Sequence, residues 1–234
     1  EAFAGDRAQV FFAVPPGANP HTFEPLPTTV KRLQASRIFI GIHPEYDGWV
    51  EKYLRKGTAV SYLMNRGGHD NPHIWLSLRN AAIQVKYICS GLSDLDPDSR
   101  DYYIQNRDDY LRKLHALDEE LNRSFSNVST PVFLVHHPAW SYFARDYRLE
   151  QIPLLEEEKE PGPRHLSQVI DLARERNITT VFVEPQFNPK IAEVIAREMS
   201  ARLISLDPLA PDYLENMRYA GREIAQSMLS TAPG

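Results

Sequence analysis

Apolar residues along this chain fall into short dense runs, and these alternate with stretches where they recur every third or fourth position. AQVFFAVPP (8–16) predicts a strand stopped by two prolines. PTTVKRLQAS (27–36) predicts a helix, and RIFIGI (37–42) a second strand. HIWLSLRN (73–80) turns into a helix near Ser77, whose hydroxyl can cap it. Ala82, Val85, Ile88 and Cys89 share one face of that helix. Asp96 and Pro97 mark the next start, Asp96 as cap and Pro97 in the first turn. Tyr110, Leu114, Leu117 and Leu121 then form one buried stripe on a helix reaching Phe125. At about 1.5 Å per residue that helix is some 40 Å long, enough to act as a stiff spine.

The second half repeats the alternation. PVFLVHH (131–137) is a strand and PAWSYFARDY (138–147) a short helix. LLEEEKEPGPRH (154–165) is a loop rich in charge and proline. HLSQVIDLARERN (165–177) is a helix, TTVFVEP (179–185) a strand, and NPKIAEVIAREMS (188–200) a helix with Asn188 as cap. ARLISLDPL (201–209) is a strand, and 210–229 the last helix. Such alternation predicts an α/β fold: two lobes of parallel sheet flanked by helices, joined by a long rigid backbone helix. The boundaries expected are 1–96 for the first lobe, 97–126 for the linking helix and 127–234 for the second lobe.

Composition narrows the function classes. A formal net charge of −5, with Lys and Arg scattered, offers no basic stripe for nucleic acid. No apolar run approaches the roughly 20 residues that span a bilayer. The single cysteine, Cys89, excludes an internal disulfide and suits a small buried apolar position. The chain opens at EAFAGDRAQV, which suggests a mature or trimmed form.

The chemistry-bearing residues collect at the ends of the predicted strands. His21 follows FFAVPP, His73 lies at the turn into a helix, His136 and His137 follow PVFLV, and Asp207 follows LISL. Ligands of open α/β sheets bind beyond the carboxyl ends of strands. Three imidazoles and one carboxylate can fill the tetrahedron of a zinc ion. Two choices stay open on this ground. Alternate strand residues face opposite sides, so only one of His136 and His137 should face the ligand. Glu184 also ends a strand and competes with Asp207 for the carboxylate role. His115 and His165 are ordinary helix residues, His43 suits a loop role, and His69 is at most an auxiliary donor.

These segments together resemble a known family. VPPGANPHTFEPLPTTVKRLQASRIFIGI, then NPHIWL, HHPAWSYFARDY, EPGPRHL, VFVEPQFNPKIAEVIARE and LDPL are similar, in order and over essentially the whole chain, to the ZnuA-like metal-binding lipoproteins and periplasmic proteins of ABC transporters. The resemblance implies two α/β lobes bridged by a rigid helix with the metal between them. It carries the ligand roles onto His21, His73, His137 and Asp207, choosing His137 over His136 and Asp207 over Glu184. Two departures stand out. The long histidine- and acid-rich loop of many zinc-specific relatives is reduced here to MNRGGHDN, and the strand and helix that normally precede the equivalent of GDRAQV are missing.

The implied protein is a non-enzymatic carrier, monomeric, and periplasmic or cell-surface, either free or lipid-anchored. It captures Zn2+ and delivers it to the membrane permease of an ABC importer. Imidazole suits zinc, whereas manganese prefers oxygen donors, so three histidines favour zinc and leave Mn2+ as the alternative cargo. A zinc hydrolase is the rival from another class. It would need an open coordination position, and the chain has neither H-E-x-x-H nor G-x-S-x-G. An adhesin, as some relatives have been described, would need an adhesive module that is not apparent in the sequence.

Overall fold

The computed structural model describes residues 4–20, 22–64, 71–126, 128, 130–155 and 162–229. It is an α/β protein of parallel sheets flanked by helices, divided into two compact units, Glu1–His115 and Ala116–Gly234. The division falls within a helix of 26 residues, α4 (Arg100–Phe125), preceded by a 3-10 turn over Pro97–Ser99.

The first unit contains α1 (Pro27–Ala35), β1 (Ile38–Gly41), α2 (Pro44–Asp47), β2 (Ala59–Tyr62) and α3 (Leu78–Leu95). β1 and β2 pair in parallel from Ile38↔Ala59 to Gly41↔Tyr62. Leu33, Phe39 and Val50 form its core beside this sheet, with Phe11, Ala13 and Trp49 packed against them. The strand expected over 8–16 does not form. Phe11 turns inward and Phe12 outward, as a strand would place them, but among the described residues β1 pairs only with β2. Alternation without a hydrogen-bonding neighbour leaves extended coil. β2 escaped notice because AVSY is short and half-exposed. In α3 the expected face holds: Ala82, Val85 and Cys89 are buried, while Ile88 is half-buried.

In the second unit β3 (Val132–Val135), β4 (Glu150–Pro153), β5 (Thr180–Val183) and β6 (Arg202–Ser205) form one parallel sheet in the order β4-β3-β5-β6. The helices α5 (Ser141–Tyr147), α6 (Pro163–Glu175), α7 (Lys190–Glu198) and α8 (Tyr213–Leu229) connect and cover it. The central strands VFLV and TVFV are buried at every position, as strands covered on both faces must be. The edge strand β4, EQIP, is largely polar and only partly buried, so no hydrophobic run announces it. α5, α6 and α7 end alike. Arg148, Asn177 and Ser200 take positive φ (59, 54 and 53°), and the next N–H returns to Ala144, Ala173 or Ala196. That is the Schellman closure, which turns the chain sharply back toward the sheet. The N-cap of α7 is Pro189, one residue beyond the expected Asn188, whose side chain accepts the Lys190 N–H at 3.1 Å.

Candidate metal centre

His73 stands where a loop meets the turn that opens α3. Oδ1 of Asn71 accepts the His73 backbone N–H at 2.9 Å and lies 2.7 Å from the ring Nδ1. An oxygen that takes the backbone donor can only accept from the ring, so Nδ1 carries the proton and the lone pair lies on Nε2. Metal-binding histidines are commonly held in this way, one nitrogen donating to a fixed partner. The residue is 6% exposed, with the Trp75 ring 5.3 Å away. On the far side Ser77 caps α3, accepting from Asn80 at 3.0 Å. His21 and His69 lie outside the described residues.

In the second unit the sheet order itself makes a site. The chain leaves β3 toward β4 on one side and places β5 and β6 on the other. The crevice at the carboxyl ends of β3 and β5 is therefore the topological switch point, where such sheets bind ligands. His136 and His137 follow β3, Glu184 follows β5 and Asp207 lies just past β6. The His136 N–H donates to the Phe182 carbonyl at 2.8 Å, tying the two central strand ends together.

β3 ends at Val135, and beyond it both rings meet Phe187: His137 stacks at 4.9 Å and His136 approaches edge-on at 5.6 Å. Both residues are buried. Nδ1 of His136 has no hydrogen-bond partner among the described residues. Burial holds its pKa below the usual imidazole range, which keeps the ring neutral.

The carboxylates divide by environment. Asp207 is held: Oδ1 accepts from Nε2 of Gln186 at 2.6 Å and from the Leu209 N–H at 2.9 Å. Its carbonyl accepts the Asn216 amide at 2.7 Å. Glu184 is 3% exposed, and neither of its oxygens has a hydrogen bond of good geometry among the described residues. Burial pushes its carboxyl well above the ordinary range and the nearby Asp207 charge adds to this; the Trp140 indole offsets only part of the shift. A carboxyl in that setting favours its proton.

Among the described residues no three His, Cys, Asp or Glu side chains stand together as a complete ligand set. The remaining histidines take ordinary places. His43 caps α2, its Nδ1 accepting the Glu45 N–H at 3.2 Å; His115 is exposed on α4, and His165 is half-buried in the first turn of α6. Sequence reasoning missed Asn71, Gln186 and Phe187. Asn71 carried a signal, a short acceptor two residues before a candidate ligand. Gln186 carried none, because its partner lies 21 residues away.

A family model described as zinc-uptake complex component A, periplasmic (ZnuA), matches residues 1–227. The high-affinity zinc uptake system protein ZnuA of Bacillus subtilis is 28% identical over 231 residues, covering 87% of this chain and 72% of that protein. The manganese ABC transporter substrate-binding lipoprotein PsaA of Streptococcus anginosus is 28% identical over 258 residues, covering 96% and 84%. A crystal structure of ZnuA superposes with a TM-score of 0.92 at 35% identity, over 97% of this chain and 92% of that one.

Proposed function

This chain belongs to the family of periplasmic zinc-uptake component A proteins, and from that premise we propose that it captures Zn2+ outside the cytoplasm and hands it to the permease of an ABC importer. The family is one of metal-binding substrate-binding proteins of ABC transporters, not of enzymes. Its members are extracytoplasmic and many are lipoproteins; among the described residues no helix of this chain is long and apolar enough to cross a membrane.

His21, His73, His137 and Asp207 are the proposed donors to one ion. The observation that carries this reading is His73, buried and held by Asn71 with its Nδ1 proton committed. A surface or packing histidine has no need of a fixed tautomer, and a ligand does. Zinc is favoured because three imidazoles and one carboxylate suit it, whereas a manganese site prefers more oxygen. The PsaA relative keeps Mn2+ as the second reading, since its similarity is as high.

The test is metal analysis of protein purified without added metal, followed by competition between Zn2+ and Mn2+. Zinc should co-purify and displace manganese. His21→Ala, His73→Ala, His137→Ala and Asp207→Ala should each weaken zinc binding strongly, with His115→Ala and His165→Ala unchanged. Wild-type zinc affinity in any of the four would remove that residue from the site.

A further inference from the structure

We propose that Gln186 is a positioning residue that makes Asp207 a one-oxygen ligand and so biases the site toward zinc over manganese. The inference rests on Asp207 being a ligand, as proposed above. Two donors converge on a single oxygen of this carboxylate: the Gln186 amide at 2.6 Å and the Leu209 N–H at 2.9 Å. Among the described residues no hydrogen bond reaches Oδ2. A carboxylate oxygen has about two lone-pair directions, and two donors fill them. Oδ2 is then the oxygen left to a metal.

The Leu209 N–H comes with the Asp-Pro-Leu turn, an Asx-type closure within two residues. The Gln186 bond is different, since it spans from the end of β5 to the end of β6. It stops the carboxylate plane from rotating. The amide's other atom, Oε1, is buried with no hydrogen-bond partner among the described residues. The side chain therefore leaves a polar atom unsatisfied while its Nε2 holds Asp207. A group placed for its own solvation would not be arranged this way.

The consequence is selectivity. Zinc is content with four donors, one oxygen from a carboxylate among them. Manganese favours more oxygen ligands, and a carboxylate that turns to offer both oxygens supplies an extra one. With Oδ1 already engaged, that turn costs two hydrogen bonds. Without Gln186 it costs one.

The full chain is stripped of metal, and Zn2+ and Mn2+ affinities are measured by competition titration for wild type, Gln186→Met, Gln186→Leu and Asp207→Ala. The visible spectrum of each protein loaded with Co2+ reports coordination number, and circular dichroism checks the fold. Both Gln186 variants, donor-free but different in shape, should lower the zinc-to-manganese affinity ratio about tenfold or more, the scale of lost support around a ligand. Their cobalt bands should weaken as the ion gains a ligand. A wild-type ratio and spectrum in either folded Gln186 variant, with Asp207→Ala impaired, overturns this inference alone. An unimpaired Asp207→Ala instead overturns the ligand set on which it depends.

Discussion

Asn71→Ala tests the metal site at a residue that touches no metal. One oxygen of Asn71 holds both the backbone N–H and the ring Nδ1 of His73, at 2.9 and 2.7 Å. Each bond contributes about 1 kcal/mol net. Alanine removes both. The acceptor that selects the tautomer with its lone pair on Nε2 is then gone, and binding must supply that selection. Lost support of this kind around a ligand typically weakens metal binding 10–100-fold, about 1.4–2.7 kcal/mol. Asn71→Asp keeps an acceptor and makes it anionic, so it should bind zinc at least as tightly as wild type. The assay is competition against a chromogenic chelator at fixed pH, with thermal unfolding of the metal-free proteins recorded in parallel. Stability should fall by less than zinc affinity does, because only the affinity contains the tautomer term. Zinc affinity of Asn71→Ala within about twofold of wild type, with His73→Ala impaired, would refute the argument.

Three further outcomes are expected. Zinc affinity should fall as pH drops through about 6.5, because protons compete for free imidazole there; a flat profile from pH ~5.5 to ~7.5 would count against a histidine-rich site. Glu184→Gln should stabilise the metal-free protein at pH 7. Burial raises the Glu184 pKa, so the folded state holds a proton that the unfolded chain has released. Its contribution to stability is complete below the unfolded value and is lost as pH rises toward the folded one. The advantage of Gln should thus be present at neutrality and close as pH falls below the ordinary carboxylate range. Urea unfolding at pH 4 and pH 7 measures it, and an equal difference at both would contradict the assignment. Gly221→Ala should destabilise by about 1–2 kcal/mol. A new Cβ would lie 3.1 and 3.2 Å from Cδ1 and Cγ of the buried Leu121 and closer still to its Cδ2. That overpacking outweighs a helix-propensity gain of up to about 1 kcal/mol; a rise in melting temperature would show that Leu121 can move aside.

Much of this protein is local in origin. Dense apolar runs such as PVFLV and TVFV were legible as strands, and each is buried at every ladder position. So were α3 with its Ser77 cap, the stripe of Leu114, Leu117 and Leu121 on α4, and α7 itself. Each rests on periodicity or on a hydrogen bond spanning a few residues. Candidate donors were legible too, since strand ends in an α/β chain are where ligands bind, and ordered motifs chose among them. What tertiary structure decided is everything that needs a neighbour far along the chain. Residues 8–16 alternate like a strand yet remain coil, because strand formation requires a hydrogen-bonding partner and among the described residues no strand pairs with them. EQIP has no strand signature and becomes β4, because β3 offers it an edge. His136 and His137 both pack against Phe187, some fifty residues on, a contact that their local sequence does not reveal. Asp207 and Glu184 are each a carboxylate at a strand end. They differ only in what surrounds them, and burial, a partner amide and a neighbouring charge are properties of packing that no stretch of sequence carries alone.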